Sequence, residues 1–434
     1  MTGENENIAL LPSALKTDIL HFRASTSKNA ILPLMISALL NADETLFEVT
    51  PDFSLNDVDA AAALLRTCGA RVWRSTHQIG IDASEVSPGP VPASIARKTR
   101  YSLLLLGALV SRTGRAEIPM SGGCDIGRTH DYHTEILRSL GCHIHETDIS
   151  IAARRDHAAH ALIRLPYPSV GATLNAILAS CSTPEIRHGK LITLENCACE
   201  PEVDDVIDYL CRIGMVIRRQ WRTIRIEPGP TTGKKIAYSP ISDRIETGTY
   251  ALAAAILGVK VIIHNAPQGC LDAVTSVLHA IDCHVAWHDK DLLVDGRSTN
   301  RRLGLNVATS PYPGFPTDLQ PILAVLCLGL NRPSTILDTV MPHRTRYIEA
   351  LRTLGGRISS NESSITIYPD AATDPASLNA VDLQASDLRG GAAAVLRSLQ
   401  ISRPCRIANF DQVRRGYSQF DVSVKKMGGD ISSW

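Results

Sequence analysis

The chain is poor in aromatic residues and carries no excess charge. Phe, Tyr and Trp supply 5% of its 434 residues, so Ala, Leu, Ile and Val must build the cores. Lys plus Arg and Asp plus Glu both number 44, and the formal net charge is zero. Proteins that coat nucleic acid or an anionic membrane need a basic excess, so neither partner is expected. The longest apolar runs, Leu103–Val110 and Ile322–Leu330, fall well short of the roughly 20 residues of a spanning helix. The opening MTGENENIALL has no basic region and no long apolar stretch, which argues against a secretory signal. Among the 11 cysteines there is no CxxC pair, so a zinc ribbon or a redox dithiol is disfavoured. Neither GxGxxG nor GxxxxGK[ST] occurs, which disfavours a nucleotide-binding dehydrogenase or a kinase. No metal-ligand motif is seen, and no metal or organic cofactor is expected. The expectation is a cytoplasmic protein with reduced thiols. Its hydrophobic content of 44% suits packed cores, and its length suits two domains of about 150 residues or more.

What the chain does contain is a repeat. An apolar residue, three residues, a Gly, two residues and then Ile or Val recur along it. The copies are LRTCGARV (Leu65, Gly69, Val72), LRSLGCHI (Leu137, Gly141, Ile144) and LCRIGMVI (Leu210, Gly214, Ile217), followed by LHAIDCHV (Leu278, Asp282, Val285), LRTLGGRI (Leu351, Gly355, Ile358) and VKKMGGDI (Val424, Gly428, Ile431). Successive copies lie 68 to 73 residues apart, so six units account for the whole length. In each, an amphipathic helix runs into the motif, a left-handed residue closes its last turn, and a strand follows. Asp282 replaces Gly once, and Asp tolerates that conformation better than most residues. Each unit has room for about two helices and three or four strands. The Pro/Gly/Lys stretch 226–240, after the third copy, is the best boundary candidate.

Nine collinear segments carry a resemblance. They are SKNAILPLMISALL (27–40), SGGCDIGRTHDYH (121–133), SVGATLNAILAS (169–180), ENCACEPEVDD (195–205), SDRIETGTYALAAAI (242–256), TSPYPGFPTDLQ (309–320), HRTRYIEAL (343–351), SDLRGG (386–391) and RRGYSQFD (414–421). The chain resembles the enolpyruvyl transferases, and most of all the UDP-N-acetylglucosamine enolpyruvyl transferases of peptidoglycan synthesis. The resemblance implies an α/β fold, a two-domain inside-out α/β barrel of six βαβαββ repeats, three per domain, with the helices inside. The expected domains are 28–240, with a lid at Cys124, and 241–434 together with 1–27, facing each other across an active-site cleft.

The reaction consumes phosphoenolpyruvate, whose phosphate and carboxylate call for convergent cations, and Arg binds such planar oxyanions bidentately. By resemblance, Lys28, Arg128 and Arg415 hold the phosphate, and Arg344 and Arg389 the carboxylate. Cys124, flanked by glycines, would be the lid acid that protonates the methylene carbon; a free thiol is a neutral donor near pH 7. The other ten cysteines read as small buried hydrophobes. Asp318, after the stiff PYPGFP loop, would take or orient the acceptor hydroxyl proton, and a helix N-cap is its plain structural alternative. Asn29 would touch the hydroxyl or the tetrahedral intermediate. Arg100 would lie near the substrate phosphates. Ser169, Val170 and Gly171 offer backbone N–H groups at a helix start for the diphosphate. The segment Arg128–His133 would meet uracil, with Asp131 as the main polar contact and His133 among the acceptor-binding residues, and Thr317 lies beside Asp318. Asp243, Arg244 and Glu246 read as structural residues at the chain crossing, and Glu200 and Glu202 as weaker cleft candidates.

The sequence departs from the family pattern around the acceptor. The lid segment is one residue shorter, His130 and Tyr132 replace apolar residues, and Tyr167 stands where a Lys usually meets the diphosphate. Pro342–His343 replaces Glu–Asn, and Cys199 replaces an Arg. The acceptor expected first is UDP-N-acetylglucosamine, with transfer to UMP or another uridine nucleotide, as in nucleoside-antibiotic pathways, as the competitor. An enolpyruvylshikimate phosphate synthase lacks the lid cysteine. A non-catalytic paralogue that binds nucleotide sugar is the reading from another class.

Overall fold

The computed structural model describes residues 6–15, 17–87, 89–120, 130–229, 233–370 and 379–434. The chain forms two compact units, one spanning Thr26–Ile241 and the other Met1–Ser25 with Ser242–Trp434.

All six copies of the repeat take the conformation the sequence demands. The five glycines have φ between +81° and +109°, and Asp282 has φ +56°. Each follows a helix: Asn56–Thr67, Asp131–Ser139, Pro201–Arg212, Asp272–His279, Tyr347–Thr353 and Phe420–Lys426. Each precedes a strand: Arg71–Arg74, Cys142–Glu146, Val216–Gln220, His284–His288, Arg357–Ser360 and Gly429–Ser433. A left-handed residue lets the chain reverse off the last helical turn straight into the sheet.

Six sheets result among the described residues, three in each unit; five have four strands and one has three. In every four-stranded sheet one strand is parallel to its neighbour and the remaining pairs are antiparallel. The unit Thr26–Ile241 holds one cluster of buried apolar side chains and the other unit holds a second. At the centre of each core run three helices buried almost all round. They are Lys28–Ser37, Leu104–Thr113 and Val170–Ser180 in the first, and Arg244–Leu257, Gln320–Leu328 and Leu388–Gln400 in the second. A helix apolar on all faces must be interior. The two long apolar runs of the sequence are absorbed here, in Leu104–Thr113 and Gln320–Leu328. This is the inside-out α/β arrangement, with helices within and sheets around them.

The strand Ile8–Pro12 lies between Cys405–Ala408 and Gly429–Ser433, so the first and last segments of the chain share one sheet. Each crossing of the chain is held inside its own unit by a buried carboxylate. The Ser25 N–H donates to Glu246 at 2.8 Å, and the Ile241 N–H donates to Asp205 at 3.1 Å. Burial raises both acids, Glu246 to about 7 with help from Asp243, and Asp205 to about 6.

Candidate active site

Eight residues of the expected site lie in or next to the first turns of central helices: Lys28, Asn29, Ser169, Val170 and Gly171 in one unit, and Thr317, Asp318 and Arg389 in the other. In Thr26–Ile241, Lys28 opens its helix without a side-chain cap, and its buried ammonium pairs with Asp57 at 2.8 Å. Asn29 Oδ1 accepts a hydrogen bond from Tyr101 at 3.1 Å, which ties this helix start to the turn Arg100–Leu103 that leads into Leu104–Thr113. Ser169 caps the third helix, accepting from the Ala172 N–H through its side chain at 3.4 Å. Buried Asn175 links the second and third helices. Its Oδ1 accepts from the Gly107 N–H at 2.7 Å and its Nδ2 donates to the Leu103 carbonyl at 3.1 Å.

His133 is the fourth member of this network. Its Nδ1 lies 3.0 Å from Asn175 Nδ2, and its other edge abuts Gly171, where a Cβ would fall 2.9 Å from Cε1 and Nε2. Burial, and then the charges of Arg100 and His130, push its pKa down to about 3, so the ring is neutral. Asp131 is exposed at the first turn of Asp131–Ser139, where the helix dipole favours a carboxylate. Three of the departures from the family pattern, His130, Tyr132 and Tyr167, make contacts near this group. His130 pairs with Glu146 at 2.5 Å, and Tyr132 stacks on Tyr167 with centroids 6.1 Å apart and planes 19° apart. Cys124 and Arg128 lie outside the described residues.

The other unit holds an arginine–carboxylate cluster of its own. Asp318 falls in the turn Thr317–Leu319, ahead of Gln320–Leu328, and it is not the N-cap, a position taken by Pro316 for that turn. The structural alternative for Asp318 is therefore corrected: its carboxylate faces arginines. Arg344 Nη1 lies 2.8 Å from Asp318 Oδ1 and Arg389 Nη2 lies 3.5 Å from Oδ2. Arg344 also donates to the Thr317 carbonyl at 3.1 Å and reaches Asp387 at 3.4 Å. Arg389 donates to the Gly416 carbonyl at 3.2 Å and lies 4.7 Å over the Tyr417 ring.

Both guanidiniums are buried, at 2% and 0% exposure. Burial opposes their charge. For Arg344, Asp318 and Asp387 outweigh it; for Arg389, Tyr417 and Asp318 do so first. Both are held above the usual arginine range. Nε of each, and Nη2 of Arg389, make no hydrogen bond among the described residues. Buried cationic N–H groups left open in this way can take an incoming carboxylate. Arg415 is half-buried next to Gly416, and its Nη1 donates to Gln412 at 2.9 Å.

Three supporting residues were not singled out in the sequence. Asp387 caps the helix that carries Arg389, through the Arg389 and Gly390 N–H groups at 2.8 and 2.9 Å. Asp338 is buried and receives Thr309 Oγ1 at 2.6 Å and Thr317 Oγ1 at 2.7 Å, with the Val340 and Met341 N–H groups, thereby fixing the turn of Thr317. Asn175 is the third. A carboxylate ending the apolar strand STILD was the available signal for Asp338. Asp243 caps Arg244–Leu257 through the Ile245 and Glu246 N–H groups, the structural role read from its position. The cysteine reading needs correction at two places: Cys211 is exposed and Cys270 half-buried, while eight others are buried.

Residues 14–423 match the sequence profile of the EPSP synthases, 3-phosphoshikimate 1-carboxyvinyltransferases. A UDP-N-acetylglucosamine 1-carboxyvinyltransferase of Wolbachia pipientis is 34% identical over 94% of each chain. One from Clostridium acetobutylicum is 33% identical over 94% of this chain and 95% of its own. Among solved structures, the enolpyruvyl transferase NikO from Streptomyces tendae superposes with a TM-score of 0.85 at 21% identity, covering 99% of both chains. An EPSP synthase from Acinetobacter baumannii gives 0.71 at 15% identity, covering 98% of this chain and 100% of its own.

Proposed function

The chain belongs to the EPSP synthase family of 1-carboxyvinyltransferases, and we propose that it transfers the enolpyruvyl group of phosphoenolpyruvate to the 3-hydroxyl of UDP-N-acetylglucosamine, releasing phosphate, in the cytoplasm. The observation that supports it most is the pair of buried arginines, Arg344 and Arg389, with open N–H groups beside Asp318. Near-full-length relatives named for that reaction point the same way.

In this reading Arg344 and Arg389 hold the carboxylate, and Lys28, Arg128 and Arg415 the phosphate. Asp318 takes the acceptor proton, with Asn29 at the hydroxyl, while Cys124 delivers a proton to the methylene carbon. The acceptor oxygen bonds to C2 of phosphoenolpyruvate. Removal of a methyl proton and cleavage of the C2–O bond to phosphate then restore the double bond. Arg100, Asp131, His133, Ser169, Val170, Gly171 and Thr317 hold the acceptor. Exclusion of water protects the activated carbon.

One observation favours a second acceptor. Residues 165–173 carry no charge, and Tyr167 stacks on Tyr132. A site with fewer cations suits a uridine monophosphate such as UMP. Phosphate release from phosphoenolpyruvate, measured with UDP-N-acetylglucosamine, UMP and shikimate 3-phosphate in parallel, separates these readings. Release with UDP-N-acetylglucosamine is expected. Release with UMP alone would replace the acceptor, and release with none would leave a binding paralogue.

A further inference from the structure

We infer that Asn175 is a positioning residue: it fixes His133 as the neutral tautomer protonated at Nε2, so that the ring donates a hydrogen bond to a phosphoryl oxygen at the start of Val170–Ser180. The inference rests on the acceptor site proposed above, and it follows from hydrogen-bond direction. The Gly107 N–H can only donate, so the Asn175 atom 2.7 Å away is Oδ1. The amide nitrogen of Asn175 then faces both the Leu103 carbonyl and His133 Nδ1. A carbonyl cannot donate and an amide nitrogen cannot accept, so His133 Nδ1 is the acceptor and its proton sits on Nε2. Asn175 cannot rotate to reverse this, because a flipped amide would set its NH2 against the Gly107 N–H and its oxygen against the Leu103 carbonyl.

The Nε2 edge is directed at the helix start. His133 is 6% exposed, Nε2 has no partner among the described residues, and Gly171 leaves it room that no Cβ would. The Ala172 and Thr173 N–H groups are taken by Ser169. The earlier amides of the helix point toward the same place, as helix-start N–H groups do. A neutral donor beside the positive end of a helix suits an anionic oxygen and does not gain or lose charge as pH changes. The groups that face the ring are Arg100, His130, Asn175 and Gly171; the two that carry or can carry charge are cationic, and both oppose its protonation.

Nitrogen NMR of the full chain labelled at histidine reads this directly, with His133→Gln identifying the resonance. Nδ1 of His133 should appear unprotonated and Nε2 protonated, unchanged from pH 8 to pH 5. Protonation at Nδ1, or a titration within that range, would overturn the tautomer. Adding UDP-N-acetylglucosamine, and separately UMP, should shift the Nε2–H signal; no shift on saturation with an acceptor that supports phosphate release would overturn the phosphoryl contact. The tautomer is read without turnover, so an inactive protein with the expected spectrum would count against the proposed function and not against Asn175. In Asn175→Asp the carboxylate would draw a proton onto Nδ1, so the ratio of variant to natural-chain KM for acceptor should change with pH, while the same ratio for phosphoenolpyruvate stays constant. An acceptor ratio that does not change with pH in a folded Asn175→Asp would also overturn the role.

Discussion

Arg389 shows what a single side chain contributes here. It has no exposure, donates to the Gly416 carbonyl, lies over the Tyr417 ring, and among the described residues makes no hydrogen bond through Nε or Nη2, with Asp318 3.5 Å from Nη2. Lys could occupy the space and keep the charge. It could not stack as a plane or offer two parallel N–H groups. Arg389→Lys should therefore raise the KM for phosphoenolpyruvate about 10-fold or more, the scale of one lost charge-assisted hydrogen bond, and leave that for the acceptor within about 2-fold. Steady-state kinetics with each substrate varied in turn checks this, and equal loss on both substrates would remove Arg389 from carboxylate binding. The arginines were legible because motif context marked them; no lone Arg would have stood out in a chain with 44 cations. Asp387, Asp338 and Asn175 were not legible, because their importance lies in hydrogen-bond geometry across residues far apart in sequence.

At the scale of elements, the six helix–strand junctions were readable in advance because each imposes one local requirement, a residue at positive φ, and spacing then repeats it. The surroundings of each junction were not readable. At Gly355 a Cβ would meet nothing within 4 Å, whereas at Gly141 it would lie 2.2 Å from the His157 carbonyl oxygen. Gly355→Ala should cost only the left-handed strain, about 1–2 kcal/mol. Gly141→Ala must in addition displace backbone, so it should unfold at a distinctly lower temperature. Thermal denaturation of the two variants beside the natural chain tests the order; equal midpoints would mean that the 157 segment yields freely. Lys28, Ser169, Asp318 and Arg389 are scattered in sequence, yet all lie in or next to the first turns of central helices. That common placement rests on which helices become interior, and periodicity alone does not show it.

The first strand of the chain completes a sheet of the unit Met1–Ser25 with Ser242–Trp434. Ile8–Pro12 pairs with residues about 400 positions away and sits inside its sheet, with Ile8 and Leu10 buried at 1% and 0%. Removing it would uncover two edges, one on Cys405–Ala408 and one on Gly429–Ser433, and forfeit the burial of two large aliphatic side chains, about 3–6 kcal/mol. That is a large part of the 5–15 kcal/mol that typically holds a domain together. Among the described residues, the sheets of the unit Thr26–Ile241 take no strand from residues 1–25. A chain lacking residues 1–12 should therefore lose amide-exchange protection across 405–408 and 429–433 first and then through its unit, while the sheets of Thr26–Ile241 keep theirs. Hydrogen-exchange mass spectrometry resolves the two regions in one experiment. Uniform loss would show that the units fold as a single cooperative block, and unchanged protection at 405–408 would show that the sheet stands without its first strand. Because this pairing spans nearly the whole sequence, closing it carries a loop-entropy cost that ordering of the intervening chain reduces.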